Sequence, residues 1–294
     1  MAYRHDMPPE AQLHSLLEFH ARAVAARRRT VLLGIAVLLA AILASATGAE
    51  VRLDTFWDKL GNFSSYFDRL TQLDTGERVW TDPVSWFWGI RRWSLQLGQT
   101  LLIAYVATLT GAVLGVIGGV LASRNVTPSR VVRFIAVRVL EFDRTVPDIV
   151  FALIFVVAFG LGPLPGVLAI TLHTAGTLGK LFAEVIENID MKPVEGVQAA
   201  GGTWLSQIRF GVLPQVLSNF ASYALLRLEV NVRGAAVIGF VGAGGIGQEL
   251  ITAIRKFYYS DVSAILLMLL ACVVAIDILS ERLRTRLLDA ELRL

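Results

Sequence analysis

Residues 237–250 read VIGFVGAGGIGQEL, with Gly242, Gly244 and Gly247 at the G-x-G-x-x-G spacing of a dinucleotide-binding loop. If that loop is genuine the chain is an α/β enzyme; if it is not, the glycines serve another purpose. A dinucleotide loop needs a parallel sheet, a helix after the glycines and an acidic residue about 20 positions on to hold the ribose. Here the glycines follow a membrane-length apolar helix that starts near Pro214, and Asp261 stands only 14 residues past Gly247 and opens another apolar run. No alternation of strands and helices precedes them. The glycines are therefore read as flexible backbone that ends a helix and packs closely. The stretch GTLGKL at Gly176 fails as a phosphate loop in the same way, because Thr174 stands where its first glycine belongs and Leu181 where Ser or Thr follows the lysine.

Composition points in the same direction. Of 294 residues 55% are apolar and only 17% charged, against about 25% charged in a soluble domain. The net charge of +3 is too small and scattered for a nucleic-acid footprint. Cys272 is the single cysteine and lies in an apolar run, where it is read as a small hydrophobe. Three histidines fall in the N-terminal tail and His173 stands alone, so no metal-ligand cluster is formed.

A helix needs about 20 apolar residues to cross a bilayer. Residues 30–49 carry no charge and follow Arg27, Arg28 and Arg29. A signal peptide is the rival reading, but the 29-residue tail and the long apolar run favour an uncleaved helix. A second span is expected over roughly 97–122, where Gly98, Gly111, Gly115, Gly118 and Gly119 would let another backbone approach closely. Glycines and prolines at 160–166 divide the next apolar stretch. Span three must then begin upstream, near 131–146, and span four must run past Lys180. Spans at about 216–241 and 261–280 complete an all-α membrane protein of six transmembrane helices.

Positive charge beside the spans sets orientation. Arginines crowd both tails (1–29 and 281–294) and the loop after span two, which places both termini in the cytoplasm. Segment 50–95 then lies outside. It holds Trp57, Trp80, Trp86, Trp88 and Trp93, five of the six tryptophans, as expected of a segment along the outer headgroup layer or of a small folded cap.

Between spans four and five, residues 193–217 read PVEGVQAAGGTWLSQIRFGVLPQVL. Glu195 suits a helix N-terminus, Gly201 and Gly202 can end that helix, and a second short run, 204–210, precedes Pro214 in the first turn of span five. The product is an elbow of two short helices in the cytoplasm, suited to receive motion from a partner; an ordinary interfacial loop is the bland alternative.

The spacing of Glu195, Gly201 and Leu213-Pro214 resembles the EAA loop of permease subunits in bacterial ABC importers. Gly196 and Val197 replace the usual alanine pair, and Gly211 stands where the family mostly has an aliphatic residue. With RFGVLPQVL, ALLRLEVNVRGAAVIGFVGAGGIGQEL and LHTAGTLGKLFAEVIENI, the chain is similar to the phosphonate branch of that family from about residue 98 to 276. The resemblance implies a type I ABC importer permease (MetI-like) fold spanning 96–280 in a bacterial plasma membrane. It implies two permease subunits, identical or paralogous, two cytoplasmic ATPases that hold the ATP and magnesium, and an extracytoplasmic binding protein. It gives phosphonate, phosphite or phosphate as cargo, with methionine as an alternative solute. By the same resemblance Glu195, Gly201, Gly202, Trp204, Arg209, Leu213 and Pro214 form the coupling loop, and Gly242, Gly244, Gly245 and Gly247 lie near the outer gate. The chain itself is no enzyme and binds no cofactor.

Charges within spans are costly and face protein or water. Arg138–Glu141, Arg144–Asp148 and Glu229–Arg233 have i,i+3 or i,i+4 spacing and are read as pairs, with Asp143 beside them. Arg227 has no acid four positions away, so it is the first candidate to meet an anion on the path, followed by Arg233, Arg144 and Glu229. His173 is either a packing residue or part of the path lining. An ion-coupled secondary transporter and a membrane-embedded enzyme are the rival functions. The first lacks an internal repeat and the second lacks a nucleophile with a base.

Overall fold

The structure is a computed structural model that describes residues 10–291. The outermost parts of both predicted tails, residues 1–9 and 292–294, lie outside the described residues. The chain divides into two units, Met1–Ser65 and Tyr66–Leu294. Apart from one isolated antiparallel bridge, Gln72 to Arg78, no extended pairing occurs among the described residues, which disposes of the Rossmann reading.

The first unit is led by α1 (Glu10–Gly48), which carries no charge from residue 30 to its end. The amphipathic α2 (Leu53–Leu70) starts in this unit and ends in the next.

In the second unit Asp82 caps the short α3 (Pro83–Trp86) by accepting from the amides of Val84 and Ser85, with Pro83 pre-set for the first turn. Next come α4 (Ile90–Ala122), α5 (Arg130–Thr145), α6 (Asp148–Phe159) and α7 (Pro163–Glu187). The elbow is α8 (Lys192–Ala199), α9 (Trp204–Ser206) and a π-helical stretch, Gln207–Val212. Then follow α10 (Leu213–Ile238), a 3-10 turn at Gly239–Val241, α11 (Ile246–Arg255) and α12 (Tyr259–Glu291).

Among the described residues four helices are long and apolar enough to cross a bilayer, namely the segments Leu17–Gly48, Ile90–Ala122, Pro163–Glu187 and Tyr259–Arg286. A fifth candidate is a pair bent by 47°, Trp204–Val241 with Ile246–Arg255. The expected sixth, span three, is interrupted. Proline lacks an N–H and pushes its predecessor out of the helical region, and Val146 before Pro147 is extended at ψ 123°. The result is a charged helix, α5, and an apolar helix, α6, of 12 residues. At 1.5 Å per residue α6 is about 18 Å long, short of a bilayer core of about 30 Å. The same break corrects the predicted Arg144–Asp148 pair, because the two residues stand on different helices.

The core is built on α4 against α7. Gly111, Gly115 and Gly119 repeat every fourth residue, so they share a face of α4. A methyl group at Gly115 would lie 3.1 Å from the Leu178 Cβ, and one at Gly119 would lie 2.9 Å from the Phe182 Cβ and 3.0 Å from the Gly179 carbonyl. Only hydrogen allows so close a crossing, and without a hydrophobic drive between lipid-facing helices such contact is what holds them. In the same manner Gly179 of α7 receives the Leu140 side chain of α5, and Gly176 admits the α5 backbone at Leu140 and Arg144. Phe182 then stacks on Phe220 of α10 at 4.0 Å between ring centres.

Candidate functional site

Three sets of residues occupy special places in the second unit. The first is the elbow. α8 carries Pro193 and the exposed Glu195 in its first turn. Gly201 takes φ +80° and ends the helix, as expected, and a Cβ on Gly202 would strike Val197. Thr203 caps the next turn by accepting from the Ser206 amide. The indole N–H of Trp204 donates to the Val126 carbonyl at 2.7 Å, so the elbow is fastened to the loop after α4. Asn125 of the same loop donates to the Ile186 carbonyl at 2.8 Å and to the Met191 sulfur at 3.4 Å. Gln215 and Asp190 exchange bonds at 3.0 and 3.1 Å, which closes the base of the elbow.

Gly211 now has a reason. A methyl group there would stand 2.8 Å from the Val194 Cα, so the aliphatic residue expected of the family cannot be fitted while α8 lies this close. The widened turn at Gln207–Val212 leads into Leu213 and Pro214, whose ring would otherwise clash with the carbonyl four residues back. Arg209 lies over the Phe210 ring at 5.2 Å, and Leu205 and Phe210 are exposed. The elbow therefore offers apolar and charged groups on a stiffly held support.

The second set lies inside the bundle, where α4, α7 and α10 meet. Asn231, 2% exposed, donates to Thr108 at 2.8 Å and to Thr174 at 2.9 Å. Thr108 in turn donates to the Ala104 carbonyl. One helical turn before Asn231, half-buried Arg227 reaches Thr174 with its Nε at 3.5 Å. Asp148, at the start of α6, acts on Arg227 electrostatically and puts a carboxylate oxygen 3.3 Å from where a Cβ on Gly234 would be. It does so without closing into a salt bridge, so Arg227 keeps donors open beside a partly neutralising acid.

The other predicted path residues are distributed differently. Arg233 is clamped by Glu229 at 2.6 Å and by both Asp277 oxygens at 3.0 Å, tying α10 to α12. Arg138 pairs with Glu141 at 2.7 Å. Arg144 is exposed on the last turn of α5. His173 Nδ1 lies 3.1 Å from the Val146 carbonyl and braces α7 against the α5–α6 break, in the manner of a packing residue.

The third set is the glycine crossing. Gly242, Gly244 and Gly245 take φ +89°, +81° and +77°, conformations that favour glycine. Gly242 accepts from the Gly162 amide at 2.9 Å, while Gly245 and Ile246 donate to the side chains of Gln99 and Thr100. A Cβ on Gly247 would collide with the Ala236 carbonyl. Close packing is as expected. The stretch is bonded to α4 and to the α6–α7 turn, and an added Cβ would meet the Leu161 side chain at Gly242 and the Thr100 hydroxyl at Gly245.

Sequence reading passed over Asn231, Thr108 and Thr174. The available signal was a set of polar residues embedded in apolar spans, with Asn231 four positions after Arg227 and so on the same helix face.

Comparisons agree with this geometry. The family model described as binding-protein-dependent transport system inner membrane component matches residues 111–290. The phosphite transport system permease protein PtxC of Stutzerimonas stutzeri is 43% identical over 198 residues, 67% of this chain and 72% of that protein. The phosphate-import permease protein PhnE of Mycolicibacterium smegmatis is 40% identical over 191 residues, 65% of this chain but 36% of that longer protein. Among solved structures, an inward-facing conformation of the MetNI methionine ABC transporter superposes with TM-score 0.57 at 22% identity, covering 70% of this chain and 98% of that one; this likeness concerns the fold. With well over half of the chain matched, the protein belongs to the family of inner membrane components of binding-protein-dependent transport systems.

Proposed function

We propose that this chain is the permease subunit of an ATP-driven importer for phosphonate, phosphite or phosphate in a bacterial plasma membrane. The observation that carries the reading is its likeness, at 43% and 40% identity, to permeases named for phosphite and phosphate. In this reading both termini and the elbow face the cytoplasm. A separate ATPase binds ATP and magnesium and docks on Glu195, Trp204, Arg209 and the exposed Leu205 and Phe210. A second permease copy or a paralogue completes the path, and an extracytoplasmic protein delivers the anion near Gly242, Gly244, Gly245 and Gly247.

The passing anion meets Arg227, whose fork donates to two oxygens at once. Asp148 offsets part of that charge, so capture does not become a trap. Arg233, held by two carboxylates, serves the joint between α10 and α12 rather than the cargo. Arg144 and His173 take structural roles.

The test is uptake of labelled phosphite, phosphate and methylphosphonate by the assembled transporter in proteoliposomes, with methionine as a competing solute. Arg227→Ala should reduce anion uptake at least tenfold while the ATPase stays bound, and Trp204→Phe should lower uptake per ATP hydrolysed. Uptake that survives removal of the ATPase, or competition by methionine alone, would reject the reading.

A further inference from the structure

A groove of about 320 Å³ opens between α5 and α7 at the end of the bundle where α4 finishes. Four cations line it: Arg124, Arg133, Arg138 and Lys180. Three carboxylates oppose them, and the three pairings differ in quality. Arg138 closes on Glu141 at 2.7 Å, but Lys180 and Glu184 stand 3.6 Å apart, and the Arg124 Nε and Glu187 are 3.7 Å apart. A charge-assisted N–H···O bond closes at about 2.7–2.9 Å, so the last two pairs are Coulombic contacts that leave their donors unspent. Arg133 has no carboxylate partner among the described residues. The groove thus holds one cation in excess and a set of open donors.

The surroundings are apolar. Phe134 lines the groove and is 63% exposed, and Val131, Ile135, Val139 and Phe142 of α5 are also exposed. A ligand that satisfies both features carries one negative charge with several acceptor oxygens and an attached apolar body. Inorganic phosphate has the oxygens and makes no use of the apolar helix. Basic pockets between membrane helices suit anionic lipid headgroups, with each cation near the surface contributing about 1 kcal/mol.

We propose that the α5–α7 groove binds the phosphodiester headgroup of an anionic phospholipid, with its acyl chains along the exposed apolar side of α5. The phosphate takes the donors of Arg133 and Lys180. The bound lipid adds to the packing of α5 on α7, where Leu140 lies against Gly179 and Ala183 and the backbone of Leu140 and Arg144 against Gly176.

The test uses the full chain purified in detergent and titrated with phosphatidylglycerol or phosphatidylcholine under native mass spectrometry. The wild type should retain phosphatidylglycerol preferentially, and Arg133→Gln with Lys180→Gln should each lower that preference about fivefold. Arg282→Gln, away from the groove, should keep it, and millimolar inorganic phosphate should not displace the lipid. A photoactivatable phosphatidylglycerol applied to the wild type should label peptides of α5 and α7, which keeps the test open if a variant fails to fold. The proposal is overturned by an unchanged preference in R133Q and K180Q, by displacement with inorganic phosphate, or by labelling confined to other helices.

Discussion

Replacing Thr174 by valine should cost more stability than replacing its partner Asn231 by leucine, and making both changes should cost no more than the first alone. The reasoning starts from the buried amide. Asn231 spends one donor on Thr108 at 2.8 Å and the other on Thr174 at 2.9 Å. Hydrogen bonds between membrane helices average about 0.6 kcal/mol, so the two together hold about 1 kcal/mol. Leucine at 231 forfeits that amount and leaves behind hydroxyls, of which Thr108 still has the Ala104 carbonyl at 2.6 Å. Valine at 174 forfeits half of it but strands an amide hydrogen at a site 2% exposed, and an unmet buried donor costs about 1–3 kcal/mol. The orphan outweighs the lost bond. Removing Asn231 as well removes the orphan, so the two changes couple by about 1–2 kcal/mol instead of adding. Thermal midpoints of the four proteins, purified in one detergent and at one concentration, complete the double-mutant cycle. Additive losses would show that the amide is not the shared partner and would sink the argument.

Two further outcomes follow from packing and charge. Gly98→Ala should raise the midpoint slightly, because nothing stands within 4 Å of the added methyl and alanine is the better helix former by about 1 kcal/mol. Gly119→Ala should lower it, since its methyl meets the Phe182 Cβ at 2.9 Å and overpacking costs about 1–3 kcal/mol; equal midpoints for the pair would refute the glycine crossing. At the start of α3, the hydroxyl of Ser85 and then the amides of Ser85 and Val84 hold the Asp82 carboxyl below the usual carboxylate range. A lowered folded pKa means that its cap is present above the ordinary carboxylate pKa and is lost as pH falls through the lowered value. Hydrogen exchange at the amides of Val84 and Ser85 should therefore speed up only in that acid window, and Asp82→Asn should abolish the dependence.

Much of this arrangement is legible in the residues themselves, and the failures share one cause. Helix ends were readable because their determinants are local: Pro214 opens α10, Gly201 closes α8, and Arg138 finds Glu141 within one turn. The interruption of span three was also local, at Pro147, yet a long apolar stretch invited joining what a single proline divides. Partner choice is different. Trp204 bonds to a carbonyl 78 positions away, and Asn231 to hydroxyls 123 and 57 positions away. No periodicity encodes such pairings. Gly98 and Gly119 look alike in the sequence, and only the position of α7 decides that one packs and the other faces open space.

The irregular backbone around α10 bears on how force would travel through the proposed importer. A π-helical stretch precedes the helix and a 3-10 turn with left-handed glycines follows it, while Leu213–Ile238 is regular between them. A regular helix hardly shortens, so a push on the elbow moves the rod as a whole and deforms the two irregular ends. From Pro214 to Asn231 the rise is about 26 Å, which places the amide deep in the bundle while it remains on the element that the elbow drives. Any axial slip or turn of α10 must then break the bonds of Asn231 to Thr108 on α4 and to Thr174 on α7, and Arg227 on the same face must move with them. Opening the path and releasing the anion's arginine would be one event, set by an exchange of two weak hydrogen bonds. The elbow's latch to Val126 acts in the opposite sense, because it ties the driven end of α10 to the far end of α4. A Trp204→Phe protein that hydrolyses ATP normally but moves less anion would locate the slippage at that latch, whereas equal losses in both would place the defect in ATPase docking.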